Sequence, residues 1–127
     1  MMNVMLVGIG GALGSMARHG VGAAIARVSP ANVSPYATMT VNLAGCLTIG
    51  VLAGLVATHR LAMGPGVRAF VFAGVLGGFT TFSSFGLDTF TLAHGGRAGT
   101  AAVNVAIQVV VGLALVAAGY AAAARVQ

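Results

Sequence analysis

Charge is what this chain lacks most. Of 127 residues 6 % are charged: six arginines and one aspartate, with no lysine and no glutamate. A soluble domain carries about 25 % charged residues, so a hydrated surface is excluded. Cysteine occurs once, at Cys46 inside an apolar run. It can build neither a disulfide nor a zinc site and reads as a small packing residue. Asp88 is the only carboxylate, and His19, His59 and His94 stand at no metal-ligand spacing; acid–base chemistry has too few groups, and an enzyme is not expected. The net charge of +5 would suggest nucleic acid in a soluble protein. Scattered arginines without a patch argue instead for basic residues at helix ends facing headgroups, with no nucleic-acid partner.

What is abundant is apolar length. Residues 1–17, 28–59, 69–87 and 98–124 contain no Asp, Glu, Lys or Arg, and a bilayer-spanning helix needs about 20 mostly apolar residues. The spacing predicts four transmembrane helices, about 3–26, 36–58, 67–92 and 98–124, filling residues 1–127 as a single all-α domain in the lipid bilayer. Ser29, Pro30, Asn32, Ser34 and Pro35 mark the first connection, Gly64, Pro65 and Gly66 the second, and His94, Gly95, Gly96 and Arg97 the third. No basic segment precedes the first apolar run, so a cleaved signal peptide is not expected.

Helices in series put Arg27 and Arg97 on one membrane face and Arg60, Arg68 and Arg125 on the other. The Lys/Arg bias that sets orientation is therefore nearly nil, and the chain is expected to insert both ways. Arg18 lies within the first span. It either snorkels to the interface or faces a water-filled, electropositive vestibule.

Three short stretches carry the remaining information. "GIGGALG" (8–14) looks like a dinucleotide loop but has Leu13 where the third glycine belongs, and no acidic residue follows at the ribose-binding distance. Glycines four apart, at 10/14, 50/54 and 74/78, fit close helix–helix approach in lipid instead. Asn42, in "TMTVNLAG", must bond across helices or line a polar path, because an unpaired amide in hydrocarbon is costly. In "GGFTTFSSFG" (77–86), Gly77 and Gly78 weaken the helix, and Thr80, Thr81, Ser83 and Ser84 can rebond freed backbone groups or present hydroxyls to a cavity. Discontinuous helices of this kind aim backbone groups at ions in transporters. The rings of Phe79, Phe82 and Phe85 recur every third residue. They either pack, or turn their positive edges toward an anion.

These stretches resemble the small fluoride channels called Fluc or CrcB, over essentially the whole chain. The resemblance is carried by "GGALGSMARHG" (10–20), "TVNLAGCLTIG" (40–50) and, most specifically, "GGFTTFSSFGLD" (77–88). It implies four helices per subunit with a broken third helix, in an antiparallel dual-topology homodimer of a prokaryotic plasma membrane. It implies passive, fluoride-selective export that relieves fluoride toxicity. It assigns the fluoride pathway to Asn42, Phe82, Phe85, Ser83, Ser84 and Arg18, and a structural sodium ion on the dimer axis to the backbone carbonyls of Gly77 and Thr80. Departures from the family pattern are Asp88 for Glu, Ser84 where Thr is common, and Asn104 and Gln108 in "AAVNVAIQVVVG" where Tyr and Ser are expected; the last two stay outside the core site. The alternative is a small proton-coupled four-helix drug exporter, which needs a carboxylate in its first helix; this first helix has none. Reporter domains fused to the C-terminus are expected to be found on both membrane faces, and a single orientation in every fusion would contradict the arginine reading.

Overall fold

The computed structural model describes residues 1–29 and 33–125. Four helices there are long and apolar enough to cross a membrane. They are α1 (Met2–Val28), α2 (Val33–Ala57), α3 (Pro65–His94) and α4 (Ala98–Arg125). Two of the residues expected in the first connection, Pro30 and Asn32, lie outside the described residues. Two others, Ser34 and Pro35, belong to the first turn of α2 rather than to a loop; a proline there forfeits no helical bond, because the first N–H groups have no acceptor in the helix. The same logic starts α3 at Pro65, after extended Gly64 (φ −64°, ψ 163°). Gly96, at φ 77°, makes the left-handed turn into α4 that a side chain would strain.

α3 is not uniform. Residues Ala69–Leu76 form a π-helical stretch, and Gly77–Phe79 return to α geometry. Thr80 (φ −90°, ψ 161°) and Thr81 (φ −154°, ψ 117°) are extended, and Phe82–His94 are α-helical again. α4 has its own π stretch at Ile107–Val111. Such insertions widen the helix by a residue and rotate the side chains that follow.

Packing follows the glycines. α1 runs along the first half of α3, and α2 along the second half of α4. In lipid there is no hydrophobic gain from pairing two apolar helices, so contact depends on close backbone approach. A Cβ on Gly10 would come within 2.6 Å of the Phe70 carbonyl oxygen, and one on Gly14 would overlap the Val75 carbonyl and come within 2.8 Å of the Phe79 nitrogen. From the other side Gly74 and Gly78 meet Gly10 and Gly11. In the second seam Gly50 and Gly54 lie on the backbone of Val116 and Tyr120, and Gly119 on that of Leu47. All three expected glycine pairs therefore sit in the helix–helix seams. The second half of α3 closes the bundle against α2 and the first part of α4. At one end Arg60 Nη1 donates to the Ala123 carbonyl at 3.3 Å, placing a positive charge where the end of α4 is negative.

Gly14→Val is expected to lower stability by about 1–3 kcal/mol through overpacking. Gly20→Ala, at a site with nothing within 4 Å, is expected to leave it unchanged. Thermal unfolding of the detergent-solubilised protein measures both.

Candidate functional site

The site is built where α3 leaves helical geometry. Normal helical pairing would send the Thr81 N–H to the Gly77 carbonyl and the Ser84 N–H to the Thr80 carbonyl. Here the Thr81 N–H donates to Asn42 Oδ1 at 2.8 Å, and the Ser84 N–H donates to Thr81 Oγ1 at 3.2 Å, capping the helix that begins at Phe82. The carbonyls of Gly77 and Thr80 are thereby released from their ladder donors. The Thr80 hydroxyl does not join them; it donates to the Leu76 carbonyl at 2.9 Å.

Asn42, on α2, is the counterpart of the extended pair. Its Oδ1 accepts from Thr81, and its Nδ2 donates to the Thr81 carbonyl at 3.1 Å and to Gln108 Oε1 on α4 at 2.7 Å. Gln108 Nε2 donates to Asn104 Oδ1 at 3.0 Å, and Asn104 Nδ2 to Thr89 Oγ1 at 2.9 Å. The hydroxyls cluster beside this amide group: Thr81 Oγ1 lies 3.1 Å from Ser84 Oγ and 3.2 Å from Ser83 Oγ.

Phe82 and Phe85 stand on the first turn of the following helix, with centroids 5.4 Å apart and planes tilted by 54°. Phe82 is 82 % exposed in the single chain. Both rings line a cavity of about 480 Å³ together with Asn42, Gln108, Gly77 and Thr80. No charged side chain lines it. A second cavity, of about 590 Å³, is lined by Arg18, His19, Ser15, Thr38 and Ser84, and Thr81 reaches both. Arg18 is half-buried, on the wall of this second cavity. Of the six expected pathway residues, Asn42, Phe82 and Phe85 line the first cavity and Arg18 and Ser84 the second, while Ser83 lines neither and lies beside the Thr81 hydroxyl.

Asp88 lies in the second half of α3. It is buried, at 7 % exposure. Its Oδ1 accepts from the Ser34 hydroxyl at 2.5 Å, and its Oδ2 is buried without a partner among the described residues. It lines neither cavity.

The model of the family described as CrcB-like protein, Camphor Resistance (CrcB), matches residues 5–120. The chain belongs to this family. It is 46 % identical over 120 residues to a fluoride-specific ion channel FluC of Methylobacillus flagellatus, covering 94 % of this chain and 93 % of the relative. It is 50 % identical over 113 residues to one of Paracoccus denitrificans, covering 89 % and 87 %. A third such channel, from Agrobacterium fabrum, is 45 % identical over 121 residues, covering 95 % of each.

Sequence reasoning left three residues of this CrcB site outside its core. Thr81 was one hydroxyl among four, yet its peptide and hydroxyl organise the site. Gln108 and Asn104 depart from the family pattern, which hides their part in the site. Their i, i+4 spacing on one helix face, two amides in an otherwise apolar span, was the signal available. Asn42→Leu is expected to strand the Thr81 N–H and lower stability by about 1–3 kcal/mol. Thr48→Val, which removes only a local bond to the Ala44 carbonyl, is expected to be near neutral. Thermal midpoints in detergent compare the two.

Proposed function

We propose that this protein is a fluoride-specific ion channel, a multi-pass protein of a prokaryotic plasma membrane that lets fluoride leave down its gradient and so relieves its toxicity. The observation that carries the reading is the first cavity: three phenyl rings (Phe72, Phe82 and Phe85) and two amides on its wall, no ionised side chain, in a chain 46 % identical to a relative named for fluoride conduction.

The chemistry suits the ion. Fluoride is small and strongly hydrated, so a path must replace its water stepwise without holding it. Ring edges are positive and attract an anion weakly. Hydroxyls of Ser83 and Ser84 donate one hydrogen each. Arg18, on the neighbouring cavity, raises the local anion concentration before the neutral stretch. Asn42 belongs to the same path through its hold on Thr81.

The functional unit in this reading is an antiparallel dual-topology homodimer. It is supported by the even division of Arg27 and Arg97 against Arg60, Arg68 and Arg125. It is supported also by the exposure of Gly77 and Phe82 in the single chain, surfaces that a second copy would cover. The interruption of α3 then faces the two-fold axis, and the released carbonyls of Gly77 and Thr80 fit a structural sodium ion there, since hard cations take neutral oxygen donors. Such an ion supplies fixed positive charge near an otherwise uncharged path. A Cβ on Gly77 meets only the Phe72 carbonyl, at 3.7 Å. In this reading the partner subunit would crowd a side chain there.

Phe82→Ile and Phe85→Ile keep apolar bulk and remove the ring edge; each is expected to lower fluoride efflux from liposomes by roughly tenfold or more. Asp88→Asn keeps an acceptor for Ser34 and is expected to pass fluoride with no pH gradient supplied. A folded Asp88→Asn protein without transport, together with drug-driven proton movement by the wild type, would favour the exporter instead.

A further inference from the structure

The amides beside the break form a series with a single direction. The Thr81 N–H donates to Asn42 Oδ1, Asn42 Nδ2 to Gln108 Oε1, Gln108 Nε2 to Asn104 Oδ1, and Asn104 Nδ2 to Thr89 Oγ1. Thr89 Oγ1 then donates to the Phe85 carbonyl at 2.8 Å. The series leaves α3 at its extended pair, crosses α2 and α4, and returns to α3 at the residue whose ring lines the first cavity.

Its direction is not arbitrary. A peptide N–H can only donate, so Thr81 forces the oxygen of Asn42 toward itself. The Asn42 nitrogen then forces the oxygen of Gln108 inward, and Gln108 does the same to Asn104. Turning Asn42 or Gln108 over would set nitrogen against nitrogen and oxygen against oxygen, and turning Asn104 over would set its nitrogen against that of Gln108. Aligned series of this kind polarise one another and strengthen each link. Asn42 has no hydrogen left over: one goes to the Thr81 carbonyl and the other to Gln108.

We propose that Gln108, Asn104 and Thr89 are positioning residues of the ion path, closing a one-way hydrogen-bond circuit that fixes the extended Thr80–Thr81 pair against Phe85. Asn42 serves the path as the bracket of Thr81. The circuit deepens the channel reading and rests on it for its transport consequence.

The test uses the full-length protein in detergent and in liposomes. Asn104→Leu and Gln108→Leu each open the circuit away from Thr81. Hydrogen exchange over 77–86 is expected to quicken by about fivefold, the scale of one lost hydrogen bond, while exchange along the Gly50–Gly54 seam stays at the wild-type rate. Fluoride efflux is expected to fall in both variants. The double variant is expected to be no slower than the slower single one, within about twofold, because both cut one series. Thr89→Val opens the last link with little change of shape and carries the same comparison if a leucine variant does not fold; Thr89→Ser keeps the hydroxyl and is expected to behave as wild type. Unchanged exchange over 77–86 in folded variants overturns the proposal. So do losses of efflux that multiply in the double variant, or faster exchange with undiminished efflux. Wild-type protein that passes no fluoride overturns the channel reading itself, a result distinct from failure of the variants alone.

Discussion

A peptide group lifted out of a helix at membrane depth must be bonded by protein, because hydrocarbon offers nothing in return. Thr81 is such a group, and the capture of its N–H and carbonyl by Asn42 is the interaction on which the rest of the site depends. With that N–H diverted, the Gly77 carbonyl is released. With the Thr81 hydroxyl capping Ser84, the Thr80 carbonyl is released and a new helix starts at Phe82. The positions of both phenyl rings follow from where that helix starts. One amide on α2 thus sets the register of the cavity wall on α3.

The bracket joins α2 of one glycine-lined helix pair to α3 of the other, and the seams hold each pair together. Gly10, Gly14, Gly74 and Gly78 bring α1 down along α3 to the residue just before the extended pair, where the Ser15 hydroxyl reaches the Gly78 carbonyl at 3.4 Å. Arg18 follows one turn later and so borders the second cavity. Gly50, Gly54 and Gly119 fasten α2 to α4, setting Asn42 opposite Gln108. Gly45, between Asn42 and that seam, is the point where the Thr80 methyl rests on α2. The site lies in the gap between two tightly closed helix pairs, and its polar groups are those the seams leave unpacked.

The four spans were legible because apolar length and arginine position are one-dimensional signals. The seams were legible because the four-residue glycine spacing has one main physical use in lipid. The bounds of α2 were not: Ser34 and Pro35 are turn formers in isolation, and only the absence of a lost bond in a first turn tells a helix start from a loop. The division of labour within "TTFSSF" was not legible either. Composition offers four equivalent hydroxyls, and what separates Thr81 from Thr80 is a dihedral angle. Gln108 and Asn104 were hidden for a different reason. Their partners are 66 residues away at Asn42 and 15 residues away at Thr89, and no local pattern encodes contacts at those separations.

The electrostatics of the two cavities follow from the chain's scarcity of charge. A carboxylate on the cavity wall would repel an anion, and a bare guanidinium there would hold it too long for conduction. The chain has one carboxylate and keeps it off both cavity walls, with one oxygen on Ser34 and the other enclosed. Arg18 borders the neighbouring cavity, not the one lined by the rings. In the proposed channel, what would face an anion on this wall is therefore a set of partial charges, and partial charges depend on orientation as full charges do not. A hydroxyl or a ring edge turned away attracts nothing. The amide circuit and the glycine seams matter for this reason: in a path with no fixed charge on its wall, rigidity of the donors takes the place that charge would have.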